Sequence, residues 1–146
     1  VFRLGAAFGD ASPASVPWIG LPYRQTLEGS RCVDDPSSAF YNRLIEEGAV
    51  RKDWMSSESM RRGDGQYRLG LLVGHNQEPV EPEAGSCIFL HIWAGPSVGT
   101  SGCTALSAAD VERILRWLRA EADPVLIQLP EQEYRRLRRP WGLPGP

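Results

Sequence analysis

Nowhere does this chain hold an apolar run approaching the roughly 20 residues that cross a bilayer, so no segment reads as a membrane span. Charge of one sign is lacking too. Sixteen basic and eighteen acidic side chains leave a formal charge of -2, which argues against a strong grip on nucleic acid or anionic membrane and toward a neutral or mixed-charge partner. Histidine and cysteine are scarce, with only His75, His91, Cys32, Cys87 and Cys103 present. No C-x-x-C or H-x-x-x-H spacing occurs among them, so a zinc site is not expected. Three cysteines cannot all pair within one chain, so at least one is free, metal-bound or paired outside it. The chain opens Val-Phe-Arg-Leu-Gly, with no initiator Met, charged leader or apolar signal core. Any export signal is therefore expected to have been removed or to lie upstream.

What is present fits one domain. The 146 residues suffice for a single core, and plentiful Gly and Pro divide them into short elements, favouring strands and loops. Residues 9–30 read as an irregular, turn-rich segment anchored by Trp18 and Tyr23. Short apolar runs rich in β-branched, aromatic and leucine residues predict strands at 67–74, 86–93 and 125–129, forming a central sheet. The best helix is 107–120: Ser107 is an N-cap with Asp110 three residues on, and Val111, Ile114, Leu115 and Leu118 recur at helical spacing. A shorter helix is expected at 130–138, another near Pro36-Ser37-Ser38, and a fraying tail at 140–146. The fold class predicted is mixed α/β, mainly β, with a helix packed on the sheet.

The stretch most informative about chemistry is Gly85-Ser-Cys-Ile-Phe-Leu-His91-Ile-Trp93, followed by a Gly/Pro loop to Thr100-Ser101-Gly102-Cys103-Thr104. A histidine at a strand end and a cysteine on a glycine-containing turn come within reach when the loop between them folds back, as a thiol and imidazole pair requires. Thiolate is the effective nucleophile, and a neighbouring imidazole lowers the thiol pKa, so Cys103 with His91 is an expected ion pair. The N–H groups of Gly102 and Cys103 would stabilise an oxyanion. A helix starting at Ser107 would add its positive end in favour of thiolate. The plain alternative is that Cys103 is a small buried apolar residue.

His91 followed by Thr100-Ser101-Gly102-Cys103 resembles the catalytic motif of the YkuD-type L,D-transpeptidases of bacterial cell-wall synthesis. The likeness extends to Cys32-Val-Asp-Asp-Pro through Tyr41-Asn42, to Trp54-x-Ser-x-Glu58-x-Met60, to His75-Asn76 and to Gly85-Ser-Cys-Ile-Phe-Leu-His91, which resemble a divergent subgroup. It spans residues 1 to 135, with the first strands of the domain expected before residue 1, so the domain is taken as 1–139. The resemblance implies a cysteine acyltransferase of the periplasm or cell envelope, with a role in wall biogenesis and cell shape. It implies that Cys103 attacks the third residue of a peptidoglycan stem peptide and expels the terminal D-amino acid. His91 would take the thiol proton and later activate an amine of a second stem, or water. No metal or organic cofactor is implied, no nucleic acid is expected as partner, and a monomer is expected. The sequence departs from the commoner motif: Ser101 replaces a histidine, Ala105 an arginine, Ile92 a small residue, and the loop from His91 to Cys103 is short. Two alternatives come with the resemblance: an L,D-carboxypeptidase using the same thiol, and a wall-binding module that kept the fold without turnover.

Further residues carry weaker signals. Thr100, Ser101 and Trp93 are expected beside the substrate, His75 and Asn76 either line the same cleft or cap a turn, and Glu58, with Trp54 and Met60, either meets the substrate amine or is a solvated carboxylate. Asp34 and Asp35 before Pro36 read as a turn or cap. Cys87 reads as packing on a buried strand, while a pairing of Cys32 with Cys87 stays open because sequence does not establish the geometry. Arg135, Arg136, Arg138 and Arg139 read as a solvated helix end, with contact to anionic wall polymers as the other reading.

Overall fold

A computed structural model describes residues 1–145. Its architecture is mainly β with two α-helices. Strands β1 (Phe2–Gly9), β2 (Tyr23–Gln25), β6 (Leu69–Val73), β7 (Phe89–Ile92), β8 (Thr104–Leu106) and β9 (Val125–Leu126) build a mixed sheet. Its order is β2-β1-β6-β7-β8, with β9 pairing the start of β1 on the edge that β2 pairs further along. A second, antiparallel sheet has β3 (Ser30–Val33) between β4 (Leu44–Glu46) and β5 (Ser57–Ser59). Helix α1 spans Ala108–Trp117 and α2 spans Glu131–Leu137.

The two faces of the large sheet carry separate cores. Toward α1 point Leu4, Ala7, Leu71, Val73, Leu90 and Ile92, which meet Val111, Leu115 and Leu118. Complete burial of Leu115 and Val111 is worth about 1.5–3 kcal/mol each. The helix starts as its sequence dictates: Ser107 Oγ accepts from the Asp110 amide and donates to the Asp110 carboxylate. The opposite face holds Phe8, Phe89 and Tyr67 in edge-to-face contact, with centroids 5.3–6.0 Å apart, together with Met60 and Cys32 from the small-sheet side. A disulfide from Cys32 on β3 to Cys87, just ahead of β7, ties this layer to the large sheet. It resolves the pairing that the sequence left open, and it gives Cys87 a role beyond packing.

Several expectations are corrected. The longest strand, β1, was not read from the sequence, because Gly-Ala-Ala and Gly9 are poor strand formers. A bulge between Leu4 and Ala6 also breaks its alternation, so that Leu4 and Ala7 share one face. Residues 9–30 are less irregular than expected, since β2 pairs in parallel with β1; Tyr23 does anchor them, its hydroxyl donating to Ala11 O at 2.9 Å. No helix forms near Pro36-Ser37-Ser38. There the side chains of Asp35, Ser38 and Asp53 take the local amides of Ser37, Phe40 and Ala39, a side-chain alternative to helical bonding. Asn42, at φ 60°, then turns the chain into β4. Trp54 and Met60 are core residues, 3 % and 0 % exposed, and not companions of a substrate. Beyond α2 the described part of the tail folds back locally, with Tyr134 Oη donating to Pro144 O at 2.7 Å. Pro146 lies outside the described residues, and the domain limit at 139 stays a proposal.

Gly70 is fixed by its neighbours: an added Cβ would lie 2.5 Å from Phe8 Cζ and 2.9 Å from the Leu90 carbonyl oxygen. Gly70→Ala is therefore expected to destabilise the protein by about 1–3 kcal/mol through overpacking, measured as the drop in urea midpoint at unchanged m-value.

Candidate active site

The site grows from one strand pairing. β7 and β8 run parallel, with His91 opposite Ala105 and Leu90 opposite Thr104. Side chains alternate along a strand, so Cys103, two residues before Ala105, shares the face of His91. Both line one open cleft of about 350 Å³. His91 is 3 % exposed, wedged by the Tyr67 ring edge at a centroid distance of 5.0 Å. Its Nδ1 lies 2.8 Å from the carbonyl oxygen of Ile92. A carbonyl only accepts, so Nδ1 carries the hydrogen, and in the neutral ring Nε2 keeps a lone pair for a proton.

Cys103 is the free cysteine, half-buried at the cleft floor. Its Sγ accepts from Phe89 N–H at 3.4 Å and donates to the Cys87 carbonyl at 3.6 Å. No hydrogen bond joins it to His91 among the described residues, so the resting site is not the expected ion pair. Burial pushes the Cys103 thiol up from its ordinary value, helped by the charge of Glu58 and opposed by Phe89 N–H and Arg62. The positive end of α1 does not reach it either: β8 carries the chain about 10 Å before the cap, and helix-end effects fall off within a turn.

The turn before Cys103 is stitched by Thr100, whose Oγ1 donates to the Cys103 carbonyl and lies 3.4 Å from Gly102 N. Gly102 sits at φ 141°, a conformation that disfavours any side chain. The Gly102 N–H is thus only weakly engaged, and the Cys103 N–H has no hydrogen-bond partner among the described residues. Both amides face no competing strong acceptor.

Of the other residues expected at the substrate, Thr100, Ser101 and Glu58 line the cleft. His75, Asn76 and Trp93 do not. β6 runs antiparallel to β7, with Gly70 beside His91, so the residues after β6 lie at the far end of that pair. There His75 Nε2 meets Ala84 O at 2.8 Å, and Asn76 clamps residues 81 and 85; they hold a loop, the turn reading. Trp93 N–H bonds Leu106 O at 2.8 Å, prolonging the β7–β8 pairing. The sequence reading missed Tyr67, Arg62 and Gln66 as cleft residues. Tyr67 Oη donates to Glu58 Oε2 at 3.0 Å, and burial together with the Glu58 charge pushes its pKa up, so it stays a phenol. Arg62 stacks 5.0 Å over the Tyr67 ring and is forked onto Asp64. Only the sequence neighbourhood of the Trp54-to-Met60 motif pointed toward this wall. At the surface, Arg135 and Arg136 pair with Glu131 and Glu133 within α2.

Residues 10–127 match the family model for the YkuD L,D-transpeptidase catalytic domain. No curated protein and no solved structure matches the chain.

The electrostatics predict a signed response. Iodoacetamide should modify Cys103 with a pH midpoint above that of an ordinary thiol, and Cys32 and Cys87 should resist until reduced. Glu58→Gln removes a charge that disfavours thiolate and should move the midpoint down; Arg62→Gln should move it up. Peptide-mapped alkylation rates across pH check all three, and a Cys103 midpoint below the ordinary value would contradict the burial argument.

Proposed function

Because this chain belongs to the L,D-transpeptidase catalytic domain family, we propose that it is a cysteine acyltransferase acting on peptidoglycan stem peptides in the cell envelope, with Cys103 as nucleophile and His91 as base. The observation carrying this reading is the pair itself: thiol and imidazole on one face of adjacent parallel strands, with Nδ1 held by a carbonyl. The raised thiol pKa favours proton transfer during attack over a preformed thiolate.

The steps follow from that arrangement. Cys103 Sγ attacks the carbonyl of the third stem residue as His91 Nε2 takes the thiol proton. The oxyanion is held by the N–H groups of Gly102 and Cys103, and the weak engagement of these amides supports that role. The imidazolium returns its proton to the amine of the departing D-amino acid, leaving a thioester on Cys103. His91 then deprotonates the acceptor, a stem amine for a cross-link or water for trimming. Attack on the thioester releases the product and restores the thiol. Glu58, which has no salt-bridge partner among the described residues, suits the acceptor amine, while Thr100 and Ser101 line its approach. Residues 1–139 form the catalytic domain in this reading.

Intact mass spectrometry after mixing with a carbapenem tests the proposal. We expect one covalent adduct, mapped to Cys103 and absent in Cys103→Ala, with His91→Ala slowing acylation by about 10²–10⁴-fold. A folded protein that takes no adduct and turns over no stem tetrapeptide would leave a wall-binding domain as the reading.

A further inference from the structure

Cys87 stands at φ 56° and Asn42 at φ 60°, two non-glycine residues in the left-handed region, and they are joined. Asn42 Oδ1 accepts the Cys87 N–H at 2.8 Å. The same amide group donates from Nδ2 to His75 O at 2.9 Å and Asn76 O at 2.6 Å, and the Asn42 N–H is anchored on Val33 O at 2.8 Å. Asn42 thus ties two loops to the end of β3, and the loop it grips by Oδ1 is the one carrying Cys87. The second hold on Cys87 is its disulfide to Cys32 on β3. What these two holds fix is a carbonyl: Cys87 O is the acceptor of the Cys103 thiol at 3.6 Å.

We propose that Asn42 and the Cys32–Cys87 disulfide are positioning elements of the nucleophile, holding the Cys87 carbonyl against Cys103 and so keeping the hydrogen on its sulfur in the free protein. This rests on reading Cys103 as the nucleophile. Asn42 does not line the catalytic cleft and acts only through Cys87. A hydrogen bond donated by the thiol stabilises the neutral form, and a carbonyl dipole aimed at sulfur disfavours thiolate. Freed from either hold, Cys87 relaxes out of the left-handed region and its carbonyl swings away. Thiolate then forms at lower pH, while the sulfur loses the fixed aim that attack on a large substrate needs. The reactivity of the site thereby depends on the oxidised state of two cysteines other than the nucleophile, Cys87 on the cleft wall and Cys32 behind it, a dependence suited to an oxidising compartment.

Two perturbations test this independently: reduction of the disulfide with a phosphine, and Asn42→Gly, which keeps access to positive φ and removes the side-chain bridge. Charged and titratable groups around Cys103 are Glu58, Arg62, Tyr67 and His91; Asn42→Gly touches none of them, whereas reduction also frees β3, which pairs the strand bearing Glu58, so a midpoint shift common to both perturbations is the one assigned to the Cys87 carbonyl. Iodoacetamide labelling with peptide mapping reads each cysteine separately, and near-UV circular dichroism reports whether the fold persists. We expect the Cys103 midpoint to fall by about half a pH unit or more, giving about threefold more thiolate at neutral pH, while carbapenem acylation slows by about tenfold. A purely structural role would lower thermal stability without moving the midpoint. An unchanged or raised midpoint in the folded proteins overturns the proposal, and if reduction unfolds the chain, Asn42→Gly alone decides. Failure of wild-type Cys103 to take any β-lactam would instead count against the proposed function, because alkylation reads the positioning without it.

Discussion

The parallel pairing of β7 with β8 is the constraint on which the rest depends. β7 is buried on both faces, with Leu90 and Ile92 meeting α1 while Phe89 and His91 face the other way, so its position is set by two cores at once. A slip of one residue in the pairing would turn Cys103 toward α1 and away from His91. The helix makes such a slip costly, because Leu106 and Val111 follow from the same register and pack into the core beneath. Thus the packing of α1 and the geometry of the thiol and imidazole are one problem with one solution, and burial energy of several kcal/mol enforces a relation that no direct Cys–His bond maintains.

The charges around this pair pull in opposing directions. Glu58 and burial keep the thiol neutral, Arg62 and the Phe89 N–H oppose them, and burial comes first among these effects. With the thiol held neutral by burial and Glu58, no thiolate is buried at rest, which avoids the cost of desolvating that charge. In the proposed mechanism, charge develops only as the proton moves, when Sγ attack and oxyanion formation place it near amides that can meet it. Reactivity toward adventitious electrophiles is correspondingly low, since the thiolate is the reactive form.

The parts legible in the sequence were those carrying strong local signals. Helix α1 was written by Ser107, Asp110 and the spacing of Val111, Ile114, Leu115 and Leu118, and β6 and β7 by compact apolar runs that the structure trims at their ends. The turn to Cys103 was legible because Gly102 marks a backbone conformation, φ 141°, that a side chain disfavours. β1 was not, since its glycines and alanines are weak strand formers and Gly9 answers a tertiary contact, an added Cβ there lying 2.5 Å from the Arg68 carbonyl oxygen. β3, β4 and β5 were hidden by their three or four residues and by the serines among them. The pairing of Cys32 with Cys87 stayed open in the sequence because 55 residues separate the two, and only the folded register brings β3 under the loop before β7. His75 and Asn76 were drawn toward the cleft by their place after a strand, but an antiparallel neighbour puts that end of β6 opposite the end that bears His91.

The departures at Ser101 and Ala105 acquire a physical sense from the same geometry. Neither the loop after His91 nor the residues flanking Cys103 bring a fixed charge to the cleft; its carboxylate, Glu58, stands on β5 and its guanidinium, Arg62, on the segment between β5 and β6. That segment is backed by Met60 and Tyr67 in the second core and by β5 in the small sheet, so its charges stand on packed structure and not on a glycine-rich loop. In the proposed function, the orientation of a substrate by charge falls to this wall and not to the loop that carries Cys103. The disulfide matters here as well, because it clamps that small-sheet layer to the loop before β7. The wall that bears the charges and the strand that bears His91 are held in one register by a covalent bond, so the cleft keeps a defined electrostatic surface although no charged group flanks Cys103.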